Sequence, residues 1–247
     1  MTEQERYLFD LQGYLVVRDA LSAKTLKTLN SLVEARLAAA AGDEEAHRFG
    51  DVLKWGEAMY GVLDNPRIMP HLEALLGRNF RLDHDYCDVI RGRKGPIGWS
   101  LHGGGTPFDP SQYYRFQDNR MHCGLTVVAY NLPDIGVGDG GFGCVPGSHK
   151  SNLPFPNEWR DLEHAQPFVD RVIGPAGTAV IFTEALTHGT LPWNAAHDRR
   201  TLFFKYSPGP LAWASGYYDP ANYPGMSEAQ KALLRKPSVR VPDKIYP

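Results

Sequence analysis

From about residue 79 onward the chain breaks into short strand-like segments separated by turn residues. This texture limits the possible folds more than any other feature. The segments are 79–91, 98–102, 121–131, 142–145, 168–173, 178–183 and 199–206, each rich in Val, Ile, Phe, Tyr or Thr. Asp139-Gly140-Gly141, Pro146-Gly147 and Pro175-Ala176-Gly177 punctuate them. The 25 glycines and 19 prolines among 247 residues suit many turns better than a helical bundle.

The first third reads differently. Residues 3–11 form a short helix that runs into Gly13 and then a strand, Tyr14–Val17. Ser22 is an N-cap signal, and Leu26, Leu29, Val33 and Leu37 recur at helical spacing up to Gly42. Pro66 and Gly77 bracket a further helix over 66–76, and a last helix follows Ser227. Helices followed by a long run of strands predict a mainly β, α+β layout. Flanking N-terminal helices would then cover one face of an all-antiparallel sandwich or barrel, and an eight-stranded double-sheet barrel fits the strand count. No linker or repeat divides the chain, so residues 1–247 read as a single domain.

Several function classes are disfavoured. The net charge is -2 with no long basic run, which gives nucleic-acid binding little support. No stretch approaches the length of a membrane span. MTEQERYLFD has no charged-then-apolar leader pattern, which favours a cytoplasmic protein. Cys87, Cys123 and Cys144 lack metal-site spacing and read as reduced, partly buried thiols. Oligomeric state is left open.

Chemistry concentrates on a few residues. His102 ends Trp99-Ser100-Leu101 and runs into Gly103-Gly104-Gly105, which removes Cβ atoms beside the imidazole and admits a close approach. His188 follows the apolar strand Thr178–Thr183 and precedes Gly189 and Thr190. Arg199 stands eleven positions beyond His188 and opens the strand 199–206. Alternation turns one of Arg199 and Arg200 inward, and an inward guanidinium calls for an anion, most simply a small-molecule carboxylate. His149 lies in Pro146-Gly147-Ser148-His149-Lys150 and reads as structural. His122 reads as a core or substrate-facing residue. Trp99, Trp193, Tyr113, Tyr114 and Phe116 are candidates for an aromatic wall around a small-molecule substrate, with Trp99 and Trp193 placed in the pocket.

The order His102, Pro146-Gly147-Ser148-His149-Lys150, His188-Gly189-Thr190 and Arg199 resembles the phytanoyl-CoA dioxygenase family, as does the opening Phe9–Val17. The resemblance spans roughly residues 7–210. It implies a double-stranded β-helix of the jelly-roll or cupin-like type with flanking N-terminal helices, and an iron(II)- and 2-oxoglutarate-dependent oxygenase that uses O2 to hydroxylate an unactivated C–H bond of a small molecule. It further implies His102 and His188 as metal ligands, Arg199 as the partner of the distal carboxylate of 2-oxoglutarate, and Thr190 as its helper. The family pattern His-x-Asp is broken here, because Gly104 stands where the aspartate belongs. Asp109 is the nearest replacement ligand, and Asp85 is another. Alternatively the gap holds chloride, as in related halogenases, or the chain is a non-catalytic carboxylate-binding β-barrel.

Overall fold

The computed structural model describes residues 1–40, 42, 44–92, 98–161 and 164–240. The N-terminal part contains α1 (Glu3–Gln12), β1 (Tyr14–Val17), α2 (Ala23–Ala39), β2 (Ala46–Gly50), α3 (Glu57–Leu63) and α4 (Met69–Leu76). Then come β3 (Phe80–Ile90), β4 (Trp99–His102), β5 (Tyr114–Gln117), β6 (Arg120–Cys123), β7 (Thr126–Asn131), β8 (Gly141–Cys144) and β9 (Asp170–Arg171). The chain continues through β10 (Ala179–Thr183), β11 (His188–Leu191), β12 (Arg199–Pro208) and α5 (Glu228–Leu233).

Local chemistry sets the helix ends. Thr2 and Glu5 form a capping box at α1, and left-handed Gly13 closes that helix. The Ser22 hydroxyl accepts from the Thr25 N–H, as an N-cap should. Leu29 and Val33 form the buried face of α2. The helix expected over 66–76 starts at Met69, because residues 66–68 form a turn and Pro70 occupies its first turn.

Two antiparallel sheets face each other. The larger has the order β1-β10-β7-β12-β3-β2, and the smaller β4-β11-β8-β9. Together they make the double-stranded β-helix that the family resemblance implies. The helices pack on the outer face of the larger sheet, where Leu29, Val33, Leu63 and Leu72 share a core with Tyr130, Ile181, Leu202 and Phe204. Between the sheets, Val127, Phe142, Val180, Phe182 and Phe203 form a second core. The larger sheet is thus covered on both faces, which is why β7 and β10 are buried at every position.

The expected strand 121–131 is two strands. It breaks at Gly124-Leu125, whose N–H groups bond to Tyr113 and Ser111. Elements β2, α3, β5 and β11 were not anticipated as separate units. Among the described residues, no helix is long and apolar enough to cross a membrane. Cys87, Cys123 and Cys144 are free and buried.

Candidate metal centre

β4 and β11 are neighbours in the smaller sheet, and their register sets His102 directly opposite His188. The two rings lie 4.3 Å apart, centroid to centroid. His188 Nδ1 is 2.7 Å from the Leu186 carbonyl, and His102 Nδ1 is 3.0 Å from the Ser100 carbonyl. A carbonyl can only accept, so each Nδ1 carries a proton, and in the neutral imidazole Nε2 is then the nitrogen with the lone pair. The orientation of both imidazoles is therefore fixed by the main chain two residues upstream. Burial pushes the His188 pKa down to about 4, so the ring is neutral at physiological pH.

An acid completes the group, and it is not the expected one. His102, Glu184 and His188 each offer a ligand atom, and these atoms all lie within 4.8 Å of one another. Glu184 Oε2 is 3.9 Å from His188 Nε2. Its other oxygen accepts a 2.6 Å bond from Lys205 Nζ. Burial alone would raise the Glu184 pKa, but Lys205 and His188 bring it below the ordinary value, so it is a carboxylate. Asp109 is elsewhere: its Oδ1 accepts from Ser111 N, Ser111 Oγ and Gln112 N, closing a local turn. Asp85 points to a different groove, one oxygen accepting from the Val52 N–H.

The backbone explains why the acid moved. A Cβ at Gly103 would lie 2.7 Å from the carbonyl oxygens of both Glu184 and Leu186. The turn between β10 and β11 therefore rests directly on Gly103, bringing Glu184 beside His102. Gly104 has φ +115, a conformation strained for any residue with a side chain, aspartate included. The glycine at 104 and the carboxylate supplied from 184 belong to a single local arrangement. The turn is held at successive residues: Glu184 N–H donates to Leu125 O, Leu186 N–H to Thr183 O, and Thr187 N–H to Ser148 Oγ. Ser148 O also accepts from Gly105 N–H. The segment Pro146–Lys150 thus stitches the ligand loops together, and His149 is structural as expected, its Nε2 donating to the Asp10 carbonyl.

The three side chains open onto a cavity of about 740 Å³ between the sheets. Thr190, Trp99 and Arg199 line it as well. Along β12, Arg199, Phe203 and Lys205 face the cavity, while Leu202, Phe204 and Tyr206 join the core under the helices. Arg200 turns outward to Asn30, Glu34 and Asp198. The alternation expected for the two arginines holds. Arg199 is only 2% exposed, and its Nε and Nη1 have no hydrogen-bond partner. A buried guanidinium with two idle donors has the chemistry to receive an anion.

Other expectations fail for identifiable reasons. Trp193 is core: its indole N–H donates to the His197 carbonyl, and its ring packs with Ile90, Ile135 and Ala195, away from the cavity. His122 is exposed because β6 pairs only with β5, outside both main sheets. Tyr114 donates to the Asp10 carboxylate and Phe116 is exposed, so neither forms a wall at the site. Glu184 and Lys205 were missed. The signal available for Glu184 was an acid inside the apolar run from Ala179 to Leu186, four residues before His188.

No family model matches the sequence, and no curated protein matches it. Solved structures do. HygX from Streptomyces hygroscopicus with nickel and 2-oxoglutarate bound superposes with a TM-score of 0.78 at 23% identity, over 86% of this chain and 89% of that one. HygX with nickel, 2-oxoglutarate and hygromycin B bound gives 0.73 at 22% identity, over 86% and 89% of the two chains. HygX with iron bound gives 0.72 at 23% identity, over 86% and 88%. The fold is that of HygX. At this level of identity the likeness to HygX establishes the architecture, and the chemistry rests on the residues described above.

Proposed function

We propose that this protein is an iron(II)- and 2-oxoglutarate-dependent oxygenase that oxidises a C–H bond of a small molecule. One observation carries the reading: a buried arginine with two unpartnered donors shares a cavity with a His-Glu-His ligand set. Two imidazoles and a carboxylate suit ferrous iron and leave positions open for a chelating 2-oxo acid and O2. The donor set therefore fits the metal, and Arg199 fits a distal carboxylate. The HygX structures with iron, nickel and 2-oxoglutarate support the same assignment.

His102, His188 and Glu184 would hold the iron. Arg199 would grip the distal carboxylate of 2-oxoglutarate bidentately, and the Thr190 hydroxyl, on the same wall, would add a donor. When bound, these cofactors supply an oxidant for C–H bonds at the expense of 2-oxoglutarate, which leaves as succinate and CO2. Trp99 and the walls of β3 and β12 would orient the substrate and exclude water. HygX binds hygromycin B, and a cavity of about 740 Å³ admits a substrate of the small-molecule class here. Glu184 also bears on the halogenase alternative. A carboxylate beside the histidines could take the position that chloride would need, which supports the oxygenase reading over the halogenase.

Anaerobic titration with Fe(II) and 2-oxoglutarate tests the reading. A weak visible charge-transfer band, followed in air by succinate, is the expected result. No band and no succinate would favour a carboxylate-binding barrel. A chlorinated product would restore the halogenase.

A further inference from the structure

Glu184 makes two contacts of different kinds. Oε1 lies 2.6 Å from Lys205 Nζ, while Oε2 faces His188 Nε2 at 3.9 Å. Both side chains are largely withdrawn from solvent, at 5% and 13% exposure. Lys205 is itself firmly placed. Its backbone sits in the middle of the larger sheet, opposite Val127 on one side and His84 on the other. Its ammonium lies 5.5 Å from the centre of the Tyr86 ring.

A carboxylate can ligate a metal through one oxygen or through both. The difference matters at a centre that must also seat a chelating 2-oxo acid and O2. A carboxylate bound through both oxygens would take one of the positions they need. We infer that Lys205 is a positioning residue that holds Oε1 of Glu184 away from the metal, so that Glu184 ligates through Oε2 alone. The inference rests on the metal-site reading above. Its physical basis is that a charge-assisted bond of this length fixes one of the two otherwise equivalent oxygens. Arg199 and Arg48, the other cavity-lining cations besides the histidines, do not substitute. Arg48 is engaged by both oxygens of Asp88, and Arg199 makes no bond to Glu184.

The test uses the full-length protein loaded anaerobically with Co(II), and reads metal-induced infrared difference bands of carboxylates together with 2-oxoglutarate affinity. Glu184→Gln identifies which bands belong to Glu184. Wild type should show the wide separation of antisymmetric and symmetric stretches that marks one-oxygen ligation. Lys205→Met should collapse that separation and weaken 2-oxoglutarate binding by about tenfold or more, and Lys205→Arg should restore both. A merely structural ion pair would change the melting temperature and leave the band separation alone. If Lys205→Met does not fold, Lys205→Gln, whose amide stops short of Oε1, is read in the same way. If neither folds, the wild-type separation decides. A narrow separation in wild type, or a wide one in Lys205→Met with unchanged 2-oxoglutarate affinity, overturns the inference. No Co(II) binding in wild type, or no Glu184 band, would instead sink the metal-site reading.

Discussion

Strands β3 and β12 carry buried charge at both ends, and the two ends treat it differently. At one end, Asp83 receives bonds from Arg81 Nη1, His84 Nδ1, Ser207 Oγ and the N–H groups of Trp213 and Ala214. Arg81, fully buried, also donates Nε to the Arg235 carbonyl and Nη1 to the Leu211 carbonyl, and has Nη2 alone without a partner. Asp83 is skipped in the register between Lys205↔His84 and Tyr206↔Leu82, so a bulge turns it toward these donors. At the other end, Arg199 is as deeply buried, yet two of its nitrogens have no partner. A charge surrounded by its own chain is a structural fastening, whereas a charge left short of partners beside a cavity is a place for something to bind.

The sharpest way to break this contrast is Asp83→Ala. It leaves Arg81 buried and unpaired, so stability should fall by about 3–5 kcal/mol in chemical denaturation, with 2-oxoglutarate affinity of the folded protein unchanged. Arg199→Ala should do the reverse. Calorimetry should show 2-oxoglutarate binding weakened on the order of 100-fold, with a melting temperature equal to or above wild type, because an unsatisfied charge has been removed. Arg200→Ala, whose guanidinium already pairs with Glu34 and Asp198, should alter affinity far less. If both arginines behave alike, the two-ended picture is wrong.

A smaller effect separates the ends by pH. Burial would raise the Asp83 pKa, but the bonds from His84, Trp213 and Ala214 bring it down to about 2, below its ordinary 3.8. A carboxylate with a lowered folded pKa contributes stability above its unfolded pKa and loses it as pH falls. Wild type should therefore lose an increment of stability between about pH 4 and pH 2 that Asp83→Asn lacks, measurable by thermal melts across that window. Parallel curves for the two proteins would mean that Asp83 is less tightly held than its bonds indicate.

Much of this was legible in the sequence because it follows from local rules. Turn punctuation and β-rich runs located most strands, and the period of α2 located its buried face. Alternation required one of Arg199 and Arg200 to face inward, and the family resemblance singled out His102, His188 and Arg199, three residues that line one cavity. For the acid of the site, nearness in sequence does not translate into nearness in space. Asp109 follows His102 closely but spends its carboxylate on its own turn. Glu184 is far from His102 in sequence and reaches it only because Gly103 lets another turn sit against the strand end. Trp193 was placed in the pocket by its aromatic character, and the hydrogen bond to His197 that draws it into the core involves a partner no pattern marks. The edge strands β2 and β5 are short and largely exposed, so they lack the apolar runs by which strands are recognised.

The pairing of β4 has a mechanical consequence. β4 is an edge strand, registered to β11 at His188↔His102 and Thr190↔Trp99 with a bulge between. Two of the proposed ligands share one tight turn, and the third sits at the end of this loosely tied strand. An ion held by all three would tie the margin of the smaller sheet to its interior across a long loop of chain and, binding the folded arrangement alone, would add its binding free energy to the stability of that edge. Amide exchange along β4 should then slow on metal loading more than exchange in the helices. The reactive centre would thus double as a removable fastener, and the protein would hold its own edge most firmly when it is equipped to react.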